Sequence, residues 1–182
     1  MHLGRVLSAF NLKINIRDDY FVSLESAFQG SKKFENGGPF VDLYGLDGSK
    51  IKADERLKES GKLIGFEFNG KFWNNRPKTA FYDYLYITST SKMANVATLL
   101  EPFSGFSDIE FNQNKSINCQ ARSCALYVSL TKRGILDRIL KDKEMFLDYL
   151  SRDSSYQPHS QEITQGSLFY ICLLYTSDAA DE

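Results

Sequence analysis

The sequence predicts a mainly α-helical domain that also carries a small antiparallel β-hairpin and an edge strand. Residues 116–133 have the strongest helical pattern, because apolar residues recur there at i, i+4, i+7 and i+11. These residues are Ile117, Ala121, Cys124 and Val128. In residues 63–73, by contrast, Ile64, Phe66 and Phe68 alternate, and Asn69-Gly70 is typical of a tight hairpin turn. The chain has 182 residues, 42% of them hydrophobic, which suits one compact domain that buries about 70% of its unfolded surface.

The first half of the chain is predicted to run from an extended segment into a long helix. Residues 6–16 alternate loosely, as an edge strand does, and end in a polar turn. Residues 20–36 are predicted to form a helix that stops at Gly37-Gly38-Pro39, since glycine accepts a left-handed cap and proline cannot continue the helix. A loop follows, then a short charged helix over residues 49–60 that ends at Gly61, and then the hairpin.

The second half is predicted to be helical. Pro77 starts a helix at the position where its missing N–H costs little, and residues 79–88 are rich in aromatic side chains. The predicted core residues of this stretch are Ala80, Phe81, Tyr84, Leu85 and Ile87. The helical pattern continues in residues 92–100. Further helices are predicted over residues 116–133, ending at Gly134, and over 135–141 and 143–150.

A single domain is expected over residues 1–150. Its first residues begin abruptly as an extended segment, so we expect the domain to lack an N-terminal segment. Residues 151–171 are rich in Ser and Gln, as loops and linkers are. Residues 172–182 match the translation of a common sequencing adapter, so we exclude them from the fold prediction as one excludes a cloning scar.

Composition argues against several kinds of site and partner. Because 22 Lys and Arg are balanced by 23 Asp and Glu, no bulk positive charge favours non-specific binding of nucleic acid. The two histidines, His2 and His159, lie far along the chain from Cys119 and Cys124, so a zinc site, a Cys/His nucleophile pair and a disulfide framework are not expected. No apolar run approaches the ~18 residues of a transmembrane helix. We therefore expect a cytoplasmic protein that uses no metal, cofactor or membrane.

A polar stripe is the first candidate site. Glu25, Gln29 and Lys32 are spaced i, i+4 and i+7, so on a helix they project from nearly one line beside an apolar face. Such a stripe offers a carboxylate, an amide and an ammonium at the edge of a buried surface. The alternative interpretation is an ordinary solvated helix face with complementary charges.

Two further groups of residues have both a functional and a structural interpretation. Tyr82 and Tyr84 either stack on a purine or pack as ordinary core aromatics. Asp108 and Glu110 lie on one side of a short extended segment, where two carboxylates serve acid/base chemistry or contact ligand hydroxyls. The alternative interpretation is plain solvated charges, which is the usual outcome for two such carboxylates.

Five segments, in this order, resemble the NADAR superfamily: ESAFQGSKKFENGGP, DERLKESGKLIGFEFNGKFW, PKTAFYDYLYI, SDIEFN and KSINCQARSCALYVSLTKRG. The resemblance spans residues 3–150 and is specifically to the bacterial group that accompanies guanine-specific DNA ADP-ribosyltransferase toxins as their antitoxin. It implies a multihelical NADAR fold and a glycohydrolase that removes ADP-ribose from the exocyclic amine of guanine in DNA. It also implies two partners, ADP-ribosylated guanine in DNA and a cognate toxin.

The resemblance assigns roles residue by residue. The superfamily's E-x-x-x-Q-x-x-K pattern falls on Glu25, Gln29 and Lys32, and its acidic motif falls on Asp108 and Glu110. The aromatic positions that line the pocket of its members fall on Trp73, Tyr82 and Tyr84. Glu25, Lys32 and Asp108 are thus the expected catalytic residues, and the other five are expected to bind substrate.

Cleaving a C–N bond at an anomeric carbon builds positive charge on the sugar and requires a proton for the departing amine. We expect Glu25 to activate water or protonate the leaving group, and Asp108 to position a ribose hydroxyl. Lys32 either contacts the pyrophosphate or, if burial lowers its pKa, forms an imine with the opened ribose. Two other functions stay open: a non-catalytic antitoxin module that binds ADP-ribose, and an N-glycosidase of a small phosphoribosyl metabolite.

Overall fold

A computed structural model describes residues 3–46, 48–108 and 118–152, with the backbone alone at positions 48 and 49. The chain divides into two compact units, Met1–Lys92 and Met93–Glu182. Its described elements are α1 (Leu3–Val6), β1 (Lys13–Arg17), β2 (Tyr20–Ser23), α2 (Leu24–Gly30), β3 (Lys32–Phe34), a 3-10 helix (Val41–Gly45), α3 (Gly48–Ala53), α4 (Arg56–Glu59), β4 (Leu63–Phe68), β5 (Lys71–Asn74), α5 (Ala80–Ser91), α6 (Val96–Leu100), α7 (Gln120–Lys132), α8 (Leu136–Lys141) and α9 (Lys143–Arg152).

Helices and small antiparallel sheets together build the first unit. Within the described ranges there are two sheets, β1-β2 and β3-β4-β5. The fold is therefore mixed, with helices alongside more strand than the predicted hairpin and edge strand. The prediction of one domain over residues 1–150 stays a prediction.

The first strand of the first sheet, β1, is shorter than the strand predicted over residues 6–16. It begins only at Lys13 and pairs with β2 in the register Ile14↔Val22. The preceding chain folds back on itself instead, because the backbone N–H of Leu12 and the side-chain amide of Asn11 donate to the carbonyls of Ser8 and Arg5. These local hydrogen bonds satisfy backbone groups that a strand would need a neighbour to satisfy.

The second sheet contains the predicted hairpin, which is confirmed. Asn69 and Gly70 both have positive φ, 48° and 71°, as a type I′ turn requires. Strands β4 and β5 pair with Phe66 opposite Trp73. Phe66 and Phe68 are buried as predicted, whereas Ile64 is exposed.

The predicted helix over residues 20–36 is wrong in length. The helix is only α2, and strands β2 and β3 flank it. Ser23 caps its start by accepting the N–H of Ser26 at 3.1 Å. At its end Gly30 lies against the ring of Tyr44, and a Cβ there would come within 2.6 Å of ring carbons. The chain then leaves the helix at Ser31 and pairs Lys32 with Phe66 of β4.

The segment that connects β3 to β4 also differs from the prediction. The predicted loop contains the 3-10 helix Val41–Gly45, whose Leu43 and Tyr44 are buried. The predicted solvated helix over residues 49–60 is two helices, α3 and α4, and Ile51 of α3 is fully buried. Ile51 therefore anchors an otherwise charged helix to the core.

Helix α5 is the central buried element of the first unit. It starts at Ala80, three residues after the predicted start at Pro77. Among its predicted core residues only Tyr84 is partly exposed, and the rest are buried. Tyr82, Asp83 and Tyr86 are buried as well, so the helix is enclosed on most sides. The predicted continuation to residue 100 is interrupted, because Asn95 takes a left-handed conformation before α6.

The second unit agrees closely with its predicted helices. Cys124 on α7 is buried, as its place in the apolar pattern predicts. Helix α7 ends at Lys132, and Gly134 follows at φ 66°. Helices α8 and α9 then cover nearly the predicted residues, and Phe146 and Leu150 of α9 are buried. None of the helices in the described ranges is long and apolar enough to cross a membrane.

Candidate functional site

Glu25 is a buried carboxylate whose two oxygens have different surroundings. Its side chain is on α2, where the residue is 7% exposed and its backbone N–H donates to Ala9 at 3.0 Å. The Gln29 amide donates to Oε1 at 3.0 Å, and the Lys52 ammonium lies 3.2 Å from the same oxygen. Among the described residues no hydrogen bond or ion pair is made to Oε2. A ligand or water can therefore contact Oε2 without displacing the partners of Oε1.

Lys32 reaches the same place from strand β3. Its ammonium lies 5.5 Å from the centre of the Phe28 ring, within the range of a cation–π contact. Burial lowers the pKa of Lys32 below its ordinary value. Glu25 acts against this shift and raises the pKa, while the positive charge of Lys52 lowers it further. The structure thus brings Glu25, Gln29 and Lys32 together, although Lys32 is not on the same helix.

The predicted aromatic residues belong to a packed cluster. Trp73 and Tyr82 are 2% and 4% exposed. The ring of Tyr82 lies edge-on to Phe28 at 5.3 Å between centres, and Trp73 lies 4.6 Å from Tyr84. This packing holds α2 against α5 and β5, because Phe28, Trp73 and Tyr82 come from these three elements. Tyr84 is partly exposed and is the ring of the three with open surface. Substrate binding by these rings stays a prediction.

The predicted acidic residues belong to the second unit or lie outside the described residues. Asp108 accepts the backbone N–H of Ala121 through Oδ1 at 2.9 Å, so it caps the first turn of α7. Glu110 lies outside the described residues. In the part of the chain that the structure describes, no group of three or more His, Cys, Asp or Glu side chains could hold a metal ion.

Sequence reasoning missed two residues of this site, Phe10 and Lys52. The Lys52 ammonium lies 5.1 Å from the centre of the Phe10 ring, while it also contacts Glu25. Phe10 is 48% exposed and the Lys52 side chain 54% exposed, so both face solvent. The sequence offered one weak signal for Lys52, its place directly after an apolar residue in a charged helix.

The first unit combines helices with small antiparallel sheets and brings Glu25, Gln29 and Lys32 together, and the sequence resembles the NADAR superfamily. The match to that superfamily extends over residues 1–160, and the chain is a NADAR protein. More specifically, it belongs to the family of DarT1-associated NADAR antitoxins. A comparison with curated proteins finds no match.

Proposed function

We propose that this antitoxin is a glycohydrolase that cleaves the N-glycosidic bond between ADP-ribose and guanine in DNA. The observation that carries the proposal is the pairing of Glu25 with Lys32, since it places an acid/base group beside an amine of lowered pKa. Membership of the antitoxin family supports the choice of substrate, because removing a toxin's modification from DNA is one way in which an antitoxin can act.

Glu25 is the proton-transfer group. Its Oε1 is held by Gln29 and Lys52, which fixes the direction of the carboxylate. Oε2 then faces the substrate, takes the proton from the exocyclic amine bound to C1 and delivers it to the ribose ring oxygen, so that the ring opens to an imine. The overall reaction consumes one water molecule, breaks the C1–N bond and forms a C1–O bond, and guanine leaves as its neutral amine.

Lys32 is the nucleophile rather than a phosphate contact. A phosphate is bound best by a fully charged, accessible cation, whereas burial favours the neutral amine of Lys32. Once the ribose ring opens, this amine adds to C1 and the guanine amine departs with a proton. Water then hydrolyses the resulting imine, which releases ADP-ribose and regenerates the lysine. Under this proposal Tyr84 contributes its open surface to substrate binding.

The direct test is hydrolysis of an oligonucleotide that carries ADP-ribose on guanine. Loss of the ADP-ribose mass should be seen with the parent protein. Glu25→Gln and Lys32→Ala should each reduce the rate by about 10²-fold or more. Lys50→Ala is the matched control, because Lys50 is an exposed lysine on α3, and it should keep the parent rate. Circular dichroism of each variant checks that it folds.

Two results would overturn the proposal. A folded parent protein that binds ADP-ribose in calorimetry but releases none from the oligonucleotide is a non-catalytic binding module. A parent that leaves the oligonucleotide intact yet cleaves a small phosphoribosyl metabolite is an N-glycosidase of another class.

The role of Lys32 has its own test. Borohydride added during turnover should reduce the imine and leave ADP-ribose covalently attached to the peptide that contains Lys32. Mass spectrometry of the digested protein locates the adduct. If an actively hydrolysing protein gives no adduct, Glu25 activates water directly and Lys32 acts through its charge alone.

A further inference from the structure

Lys52 is placed to act on both members of the Glu25 and Lys32 pair. Its ammonium is 3.2 Å from Glu25 Oε1, on the same oxygen that accepts from Gln29. Its positive charge also acts on Lys32. No other ion pair of Glu25 occurs within the described residues.

The position of Lys52 is fixed from two directions. Ile51, the preceding residue on α3, is fully buried and holds the helix to the core. The exposed ring of Phe10 lies 5.1 Å from the ammonium and attracts it through its π face. An exposed lysine usually gains little from an ion pair because its long side chain must be ordered. Here core packing and an aromatic ring reduce that cost.

We propose that Lys52 is a positioning residue, which orients the Glu25 carboxylate and acts through it on the Lys32 amine. This inference rests on the proposed function and extends it by one residue. Lys52 neutralises part of the charge of Glu25, which would otherwise attract a proton to Lys32. It also repels a proton on Lys32 directly, so both effects have the same sign.

Among the described residues, few other charged groups lie where they could change the pKa of Lys32. Glu25 on α2 and Lys52 on α3 are the charged groups that shift its pKa. On β4, Phe66 pairs with Lys32 and presents an uncharged ring, while Glu67 is the next residue and projects to the other face of the strand. Asp83 and Tyr82 of helix α5 are also buried in the core of the first unit.

The test measures Lys32 without requiring catalysis. The intact protein is labelled with a trace of an amine-reactive anhydride across a pH series, and mass spectrometry follows the peptide that contains Lys32. Each profile is normalised to its own high-pH plateau, so a change in access to Lys32 cancels. In Lys52→Met the midpoint should move to higher pH, and labelling at neutral pH should fall about twofold or more relative to the plateau.

Two variants isolate the charge of Lys52. Lys52→Arg keeps the charge and should restore the parent midpoint. Lys50→Met removes a charge from the same helix, two residues away and therefore on another side of it, and should leave the midpoint unchanged. In the hydrolysis assay, the acidic limb of the pH–rate profile should move to higher pH with Lys52→Met, in parallel with labelling.

An unchanged midpoint in Lys52→Met, in a protein that still hydrolyses its substrate, overturns the inference and leaves the proposed function intact. A midpoint that moves equally in Lys50→Met also overturns it, because any charge on α3 would then suffice. A shifted midpoint in a protein without hydrolase activity supports the role of Lys52. It would overturn the proposed function but not this inference.

Discussion

Lys32 combines an ionisable amine with surroundings that favour its neutral form. Burial is the largest cause of its lowered pKa, and the aromatic ring of Phe28 is one of its neighbours. A group held in this way stabilises the reactive state of the protein at the expense of its folding free energy. The same lysine is therefore expected to reduce stability and to enable chemistry.

Because the pKa of Lys32 is lowered by folding, the free energy of unfolding should depend on pH. In the unfolded chain Lys32 has its ordinary pKa of 10.5, and in the folded protein the pKa is lower. Between these two values the unfolded state binds more protons, so the free energy of unfolding rises with pH and levels off above 10.5. Lys32→Met should stabilise the protein by about 1 kcal/mol or more at neutral pH, and this gain should shrink as the pH approaches the unfolded value.

Urea denaturation of the parent and Lys32→Met at several pH values measures this difference. Lys50→Met, which removes an exposed charge, should show no comparable gain. A Lys32→Met variant that is no more stable than the parent at neutral pH would mean that the ammonium is well solvated in the folded state.

At the residue scale the sequence predicted part of the candidate site. The i, i+4 spacing of Glu25 and Gln29 correctly predicted their contact, because both lie within α2. The proximity of Lys32 was predicted from helical spacing that does not apply, since Lys32 is on β3. The contact of Lys52 with Glu25 could not be predicted from helical spacing, because it joins residues that are 27 apart in the chain.

At the scale of elements, the end of α2 depends on a contact with a distant ring. Gly30 packs against Tyr44, whose hydroxyl lies 2.9 Å from the Ser31 hydroxyl. This contact decides where the helix stops and where the strand that carries Lys32 begins. Sequence periodicity alone extends the helix, because it contains no information about Tyr44. The hairpin was predictable for the opposite reason, since Asn69-Gly70 determines its turn locally.

Gly30→Ala should therefore be destabilising by about 1–3 kcal/mol, because the new Cβ would overlap the Tyr44 ring. Gly4→Ala is a matched control on α1, where a Cβ meets no atom within 4 Å, and it should be neutral or slightly stabilising. Thermal or urea denaturation of the two variants measures the difference. Equal stabilities would show that Tyr44 moves aside easily and does not determine the end of α2.

At the scale of the whole molecule, charge balance limits how the protein meets DNA. The formal net charge is −1, so the phosphate backbone contributes little attraction. Under the proposed function, recognition then comes from the modified nucleotide itself. Family membership implies a DarT1 toxin as partner, whereas composition predicted only that a nucleic acid would be bound by a local pocket.

Unmodified duplex DNA should accordingly bind more weakly than about 10⁻⁴ M at physiological salt, and the affinity should depend little on salt. Fluorescence anisotropy with a labelled oligonucleotide, with and without ADP-ribose on guanine, measures both quantities. Free ADP-ribose should compete with the modified oligonucleotide. Tight, strongly salt-dependent binding of the unmodified duplex would instead indicate a basic DNA-binding surface.

Ile51 and Lys52 are neighbours on a short helix, one fully buried and the other beside Glu25. A substitution that repacks Ile51 therefore also moves the cation that contacts the carboxylate. In a genetic screen for alleles that no longer protect cells from the toxin, changes at Ile51 should appear together with changes at Glu25. Such alleles would have the same effect as changes in the candidate site, although the side chain of Ile51 is buried in the core.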